Sequence, residues 1–263
     1  MKGFIQEYGN IIVVVAVILL MLLFGKSGYA KNIQDAILGS ADHIVETGQN
    51  ITKKEVNVKA GDTLDIEGNK YIVLEKQGNY QVLVMTASSI GKKAFQSNYD
   101  DNTKLRQDGQ NANTYEGSEI DNYLENDWYN SLSSTMKVAI QSINIKQASH
   151  SSDSPDVEQG AGYNSQVYNT ISRHVFLPSI KEMNKVVDLK NLKNLDKVKA
   201  FLNGTSIWTR DSYQGNAYIV EYLEASIGHL FDSDVNYTFG VRPAFVIDLS
   251  KVDYKVTGHV DYK

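Results

Sequence analysis

The most continuous hydrophobic pattern in the chain is an apolar run from Ile11 to Phe24, inside a stretch without charge between Glu7 and Lys26. As a helix rising about 1.5 Å per residue, this stretch would reach roughly 27 Å, close to the hydrocarbon thickness of a bilayer. We therefore expect a transmembrane helix at about residues 8–25, with a cleaved signal peptide as the alternative. Positive charges flank both ends, so the positive-inside rule does not decide the orientation.

A narrow apolar stripe with spacings of three and four residues follows between positions 31 and 46. The stripe consists of Ile33, Ala36, Ile37, Ala41 and Ile44. It predicts an amphipathic stalk, so residues 1–46 would combine a membrane helix with a stalk. The segment from Gly3 to Gly9 resembles the Glu-Tyr-Gly stretch of short Flp-type pilins, although Glu7 falls one position earlier than the pilin glutamate. This resemblance implies homo-oligomer contacts through residues 11–46, whereas a plain juxtamembrane helix would need none.

The pattern changes to short β-rich runs after residues 47–55, which are polar, lack periodicity and are predicted as a linker. Three runs of β-branched and aromatic residues between residues 61 and 86 are separated by turns rich in glycine and asparagine. They predict an antiparallel meander. Residues 148–172 are rich in Ser, Asp, Gly and Asn, and we expect a long loop there.

Helical signals are interspersed with these strands. Ser118 and Ser179 each precede an acidic residue by three positions, which is typical of a helix N-terminus. Apolar residues from Leu189 to Val198 continue with helical spacing. The combined pattern predicts an α+β fold at residues 56–250, mixed and mainly antiparallel, followed by a tail at residues 251–263.

Composition narrows the possible functions. The net charge is −5, with acidic and basic residues scattered along the chain, so nucleic acid is not expected as a partner. Cysteine is absent, which excludes disulfides, thiolate metal sites and cysteine nucleophiles. The histidines lie far apart, and no Gly-x-Ser-x-Gly, Walker or dinucleotide motif is present. We therefore expect neither an enzyme nor a bound cofactor.

Four segments resemble an uncharacterised domain of Gram-positive surface proteins. They are Tyr115 to Leu124, Val175 to Glu182, Trp208 to Ser212, and Gly240 to Ala244. That domain is similar to the C-type-lectin-like fold of the formylglycine-generating-enzyme superfamily, and the resemblance covers residues 61–250 of this chain. It implies a C-type-lectin-like α+β domain. The copper-binding cysteines of the wider superfamily's oxidases are missing, so that activity is not implied.

The last two of these segments contain the expected structural motif, which consists of Trp208, Arg210, Gly240, Arg242 and Pro243. Trp208 and Arg210 alternate along a strand and should share one face. Two roles are open for the arginines. Both could form buried ion pairs with core carboxylates, or they could hold the carboxylate or phosphate of a ligand.

One sequence pattern suggests a cation site. Asp232, Asp234 and Asn236 place oxygens at alternate positions, as in the first half of a calcium loop. Tyr237 stands where the turn glycine should be, so an ordinary turn is the alternative, and no resident metal is expected.

Candidate ligand-binding residues are aromatic. The sequence holds 16 tyrosines, and tyrosine offers contact area and a hydroxyl group at a low entropy cost. Those in the predicted loops are the candidates: Tyr163, Tyr168, Tyr213, Tyr218 and Tyr237.

These observations lead to an expected function. We expect a single-pass cell-membrane protein whose C-terminal domain is extracellular and recognises a protein or glycan. The alternative is a pilin-like subunit that displays this domain on a surface or conjugative filament, with the stripe at residues 31–46 as the packing face.

Overall fold

The computed structural model of the chain describes residues 56–148, 168–189, 195–213 and 216–263. The chain divides into two units, Met1–Lys54 and Glu55–Lys263, and all described residues belong to the second unit. The predicted transmembrane helix, stalk and linker lie outside the described residues. Among the residues that are described, no helix is both long enough and apolar enough to cross a membrane.

Thirteen strands make up most of the regular structure in the described residues. They are β1 (Asp62–Ile66), β2 (Asn69–Lys76), β3 (Gln81–Thr86), β4 (Lys92–Ala94), β5 (Ile140–Gln141), β6 (Ile143–Ala148), β7 (Tyr168–Arg173), β8 (Ile207–Ser212), β9 (Ile219–Glu224), β10 (His229–Asp234), β11 (Thr238–Gly240), β12 (Ala244–Asp248) and β13 (Lys255–His259).

The helices are short. They are α1 (Glu119–Asn122), a π-helical turn (Tyr123–Trp128), α2 (Tyr129–Ser131), α3 (Ser134–Ala139), α4 (Ile180–Met183) and α5 (Leu195–Leu202). Even α5, the longest of these, has only 8 residues. The predicted α+β fold class is therefore wrong, because the described domain is mainly β. The C-type-lectin-like architecture was part of that prediction and is not supported either.

Helix α4 is one place where the sequence overestimated helical structure. Its helix start was predicted correctly, since the Ser179 hydroxyl accepts from the Glu182 backbone N–H and the Glu182 carboxylate accepts in return. The helix nevertheless ends at Met183, where Asn184 becomes the cap. The Asn184 side chain then accepts a hydrogen bond from the backbone N–H of Leu189 at 3.0 Å. The apolar residues from Leu189 onward therefore keep helical spacing although α4 has already ended. The next described helix, α5, begins at Leu195.

The strands form two sheets and a ribbon. The first sheet has the order β13-β1-β2-β3-β12-β5, the second has the order β10-β9-β8-β11-β4, and β6 pairs with β7 as the ribbon. The predicted meander is present as β1, β2 and β3. Its first turn has positive φ at Glu67 and Gly68, the geometry that closes a two-residue hairpin.

Two segments differ from their predicted roles. Residues 255–259 of the predicted tail form β13, which pairs with β1 at the edge of the first sheet. Residues 168–172 of the predicted loop belong to β7. Local composition did not reveal either strand, because each depends on pairing with a distant partner.

One hydrophobic core connects both sheets. Strand β12 is buried at every position, and so is β8. Trp208 of β8 is completely buried, and its ring contacts Phe95, Tyr222 and Phe239 edge-on. Its indole N–H donates to the carbonyl oxygen of Lys93 at 2.9 Å, which satisfies its polar atom. The core therefore fixes the second sheet on which the surface loops are mounted.

Candidate functional site

One end of the second sheet carries a cluster of aromatic and charged side chains, which we name the tyrosine site: Tyr99, Lys104, Tyr218 and Asp234. Strand pairing positions two of its members, because Asp234 is opposite Ile219, the residue after Tyr218. The backbone N–H of Val235 also donates to the Tyr218 carbonyl oxygen at 3.0 Å. The sheet thus holds Tyr218 and Asp234 side by side.

The loop after β4 supplies the other two members. Asp100 organises this loop, since its carboxylate accepts hydrogen bonds from the backbone N–H groups of Asn102 and Thr103. The backbone N–H of Lys104 donates to the Asp100 carbonyl oxygen at 2.7 Å, and the N–H of Asp100 donates to that of Leu105 at 2.8 Å. These bonds turn the loop back on itself. They also fix the backbone of Lys104 close to Tyr99.

Lys104 lies against two rings. Its ammonium nitrogen is 4.5 Å from the ring centroid of Tyr218 and 5.5 Å from that of Tyr99, both within cation–π range. Lys104 has φ 58, an unusual backbone conformation for a residue with a side chain. It also pairs with the exposed Asp101 at 3.7 Å. Together these contacts place a cation between two tyrosines.

The surroundings of this cation are acidic. Burial raises the pKa of Tyr99, and the negative charges of Asp101 and Asp234 raise it further. Hydrogen bonds from Thr103 lower the pKa of Asp100, which keeps that carboxylate ionised. Three carboxylates therefore surround the tyrosine pair.

A cavity of about 270 Å³ adjoins the tyrosine site through Tyr99. Its lining consists of Asn98, Tyr99, Asp100, Leu105, Arg106 and Gln107. Arg106 is already engaged, since it pairs with Asp108 and donates to the carbonyl oxygens of Thr114 and Glu116. Arg106 thus stabilises the wall, and the cavity offers room beside Tyr99.

The predicted tyrosines are distributed unevenly. Tyr218 belongs to the tyrosine site. Tyr213 lies next to this site, because its backbone N–H donates to the carbonyl oxygen of Ile219, the residue after Tyr218, at 3.0 Å. Tyr237 follows β10 in a turn and is 61% exposed. The backbone of Tyr168 lies in β7 and pairs with Ala148. Tyr163 lies outside the described residues.

Sequence reasoning missed Tyr99 and Lys104. Both lie in the polar stretch after β4, which has no periodicity to attract attention. Their proximity to Tyr218 is a long-range contact that no local spacing encodes. The signal that was present is the dense run of turn-forming Asp and Asn residues around Tyr99.

The structure gives no support to the calcium candidate. Asp232 and Asp234 lie in β10 and not in a loop, while Asn236 follows in the turn. Across the described ranges, no group of three acidic or histidine side chains could hold a metal ion. Glu221 is opposite Asp232 on β9 and is only 4% exposed. Burial raises the pKa of Glu221 to about 8, and Asp232 contributes in the same direction.

Arg210 of the predicted structural motif has an ion-pair partner. Its Nη1 and Nη2 donate to the two carboxylate oxygens of Glu182 at 2.7 and 2.8 Å. Further bonds reach the carbonyl oxygens of Leu177 and Lys146. Arg210 therefore fastens α4 and β6 to β8, which is the structural alternative of its two predicted roles. Trp208 contacts a different set of neighbours, and the register of β8 against β9 shifts between Trp208 and Ser212.

Arg242 differs from Arg210 in its polar contacts. Its Nε donates to the Thr86 carbonyl oxygen at 2.7 Å and its Nη1 to that of Phe201 at 2.8 Å. No carboxylate in the described part of the chain pairs with it, and its Nη2 has no hydrogen-bond partner there. The guanidinium carbon is 4.9 Å from the Phe201 ring centroid. Burial consequently lowers the pKa of Arg242.

The remaining motif residues are required for close backbone packing. A Cβ atom at Gly240 would be 2.6 Å from a Thr205 methyl group and 2.9 Å from the Ser206 carbonyl oxygen. The carbonyl oxygen of Pro243 accepts from the Thr86 N–H at 3.0 Å. Both residues thus join the last strands to the rest of the core.

Comparison with known proteins places these motifs in a family. Residues 79–249 match a domain of unknown function, DUF6273, and the chain belongs to this family. The matched region contains the tyrosine site and both motif arginines. No curated protein matches the chain. No solved structure matches it either, so the C-type-lectin-like resemblance has no structural support.

Proposed function

We propose that this domain is a non-enzymatic binding module that recognises a protein or glycan through the tyrosine site and the neighbouring Tyr213 and Tyr237. The observation that carries the proposal is the geometry of these rings. Tyr213 and Tyr237 are exposed in a loop and a turn at one end of the second sheet, while Tyr99 and Tyr218 are partly buried against the core. A rigid scaffold that presents exposed aromatic side chains is the arrangement that binding surfaces use.

Display outside a membrane is the cellular part of this proposal. It is supported by the sequence alone, through the apolar run from Ile11 to Phe24. The filament alternative depends on the apolar stripe at residues 31–46. Electron microscopy of sheared surface material tests that alternative, because fibres containing this chain would favour the pilin-like subunit over an isolated anchor.

The binding proposal is tested with the full chain on an array of glycans and cell-surface proteins. We expect the combined Tyr213→Ala, Tyr218→Ala and Tyr237→Ala variant to bind its array partner at least about tenfold more weakly, because aromatic residues dominate interface energetics. The matched control is Tyr254→Ala, which removes a partly buried tyrosine between β12 and β13. Circular dichroism verifies the fold of both variants.

Two results would overturn the proposal. One is a triple variant that binds its partner as strongly as the wild type does. The other is an array on which the folded wild-type chain binds nothing.

A further inference from the structure

We propose that the tyrosine site binds an ammonium group of the ligand between Tyr99 and Tyr218, and that Lys104 occupies this place while the ligand is absent. This inference rests on the proposed binding function and names the chemistry that the site recognises. Its starting point is that the protein already places a cation against both rings, at 4.5 and 5.5 Å from their centroids. Aromatic cages recognise alkylated ammonium groups through the same contacts.

The charges around the rings favour a cationic ligand. Asp101 lies 3.7 Å from the Lys104 ammonium, and Asp234 acts on Tyr99 from the sheet side. A ligand ammonium that replaced the Lys104 ammonium would meet the same carboxylates and the same ring faces. An anion would meet repulsion from all of them.

The Lys104 side chain can move away from the two rings without disturbing the backbone of the loop. Its backbone N–H donates to Asp100, and its carbonyl oxygen accepts from the N–H of Ala112 at 2.9 Å, so the backbone is fixed at both polar groups. Its side chain is 29% exposed, and the side chain of its partner Asp101 is 87% exposed. An ion pair this exposed is weak. Exchange therefore requires only rotation of the lysine side chain, while Tyr99 and Tyr218 keep their positions.

The cavity beside Tyr99 supplies space for the remainder of the ligand. Its volume is about 270 Å³, and Tyr99 is the member of the tyrosine site that lines it. Its polar lining of Asn98, Asp100 and Gln107 suits a hydroxylated or amide-bearing substituent. An amino sugar in a glycan has hydroxyl groups next to its ammonium, whereas the amide groups of a protein lie at the far end of the lysine side chain.

A second lysine provides a matched control. Lys93 places its ammonium 3.9 Å from the ring centroid of Tyr123. Unlike Lys104, it contacts a single ring among the described residues. Replacing Lys93 removes the same charge and a similar cation–π contact, but it opens no two-ring site.

The test is a ligand-observed NMR titration of the full chain with tetramethylammonium. We expect Lys104→Gln to bind this probe about fivefold more tightly than the wild type, because the internal competitor is gone. Lys93→Gln should bind it as the wild type does. Tyr99→Leu and Tyr218→Leu, each placed in the Lys104→Gln background, should lower the affinity at least about tenfold.

Two further probes distinguish the source of the ammonium. Nα-acetyl-lysine amide represents a protein, and glucosamine represents a glycan. Whichever binds more tightly to the Lys104→Gln variant identifies the class of macromolecule to which the site is adapted.

Three outcomes would overturn the inference: equal probe affinity in Lys104→Gln and the wild type, an equal gain in Lys93→Gln, or no binding of any ammonium probe. The array experiment reports separately on the proposed function. If the tyrosine triple variant loses its array partner while no ammonium probe binds, only the ligand chemistry inferred here is wrong.

Discussion

Arg210 and Arg242 are both buried in the same core, yet the protein stabilises their charges differently. Arg210 meets the Glu182 carboxylate in a bidentate pair and also donates to two carbonyl oxygens. Arg242 has only carbonyl oxygens and an aromatic ring in the described structure. The difference shows that a buried arginine can be a salt-bridge residue or a backbone clamp. A shared sequence motif does not reveal which.

Removing the Glu182 charge has the largest expected effect in this comparison of Arg210 with Arg242. We expect Glu182→Gln to lower the free energy of unfolding by about 3 kcal/mol, because it leaves the Arg210 charge buried without a carboxylate. The amide oxygen of glutamine can still accept from the Ser179 N–H, so the helix cap is retained. Urea denaturation gives the measurement.

The matched control for this prediction is Glu75→Gln. Glu75 pairs with Lys185 on the surface, and both side chains are more than a third exposed. We expect this variant to lose no more than about 0.5 kcal/mol. An equal loss of unfolding free energy in the two variants would show that the buried Arg210–Glu182 pair stabilises the protein no more than the exposed Lys185–Glu75 pair.

A second prediction concerns Glu221, a buried carboxyl group that has no cation beside it among the described residues. Burial raises its pKa from 4.5 to about 8, so the folded protein binds more protons than the unfolded chain between these pH values. The corresponding stability is present below this window and is lost as pH rises through about 8. At about pH 6, roughly 1.5 pH units above the ordinary pKa of 4.5, we expect Glu221→Gln to be more stable than the wild type by about 2 kcal/mol.

Thermal or urea unfolding of both proteins across the window measures this difference. Near pH 4.5 the two free energies of unfolding should converge, since the wild-type carboxyl is then protonated in the folded state. A constant difference across the window would mean that Glu221 stays ionised when buried.

The smallest effect is expected at Arg242. We expect Arg242→Met to lower the free energy of unfolding by about 1 kcal/mol, because relief from burying a charge offsets the two carbonyl hydrogen bonds lost. Contact with the Phe201 ring can be retained by the methionine side chain. Urea denaturation beside Glu182→Gln provides the measurement. A loss larger than that of Glu182→Gln would reverse the ranking of the two arginine environments.

Local sequence rules predicted the parts of the fold that depend on a few neighbouring residues. The helix starts at Ser118 and Ser179 follow from one side chain capping one backbone N–H, and both are present. The β1 to β3 meander follows from alternating strands and turns. The dominance of β structure was missed because β7 and β13 form only when distant partners supply their hydrogen bonds.

The candidate site was predictable only in part. Tyr218 was found because tyrosine in a loop is an informative residue type. Its contact with Lys104 joins two loops that are far apart in the sequence and depends on the Asp100 turn, so no pattern of spacing could reveal it. The ion pair between Arg210 and Glu182 was not predictable either. Glu182 is also the capping-box residue of α4, and this local role already explains a glutamate at that position.

The exposure of Tyr213 and Tyr237 has a consequence for how this family can diversify. Both side chains are exposed, and each lies in a connection between two strands of the second sheet. Substitutions at these two positions therefore change the chemistry of the exposed surface while the strands beneath keep their pairing. For the proposed binding function, this means that recognition can change in single steps, without a compensating mutation in the core.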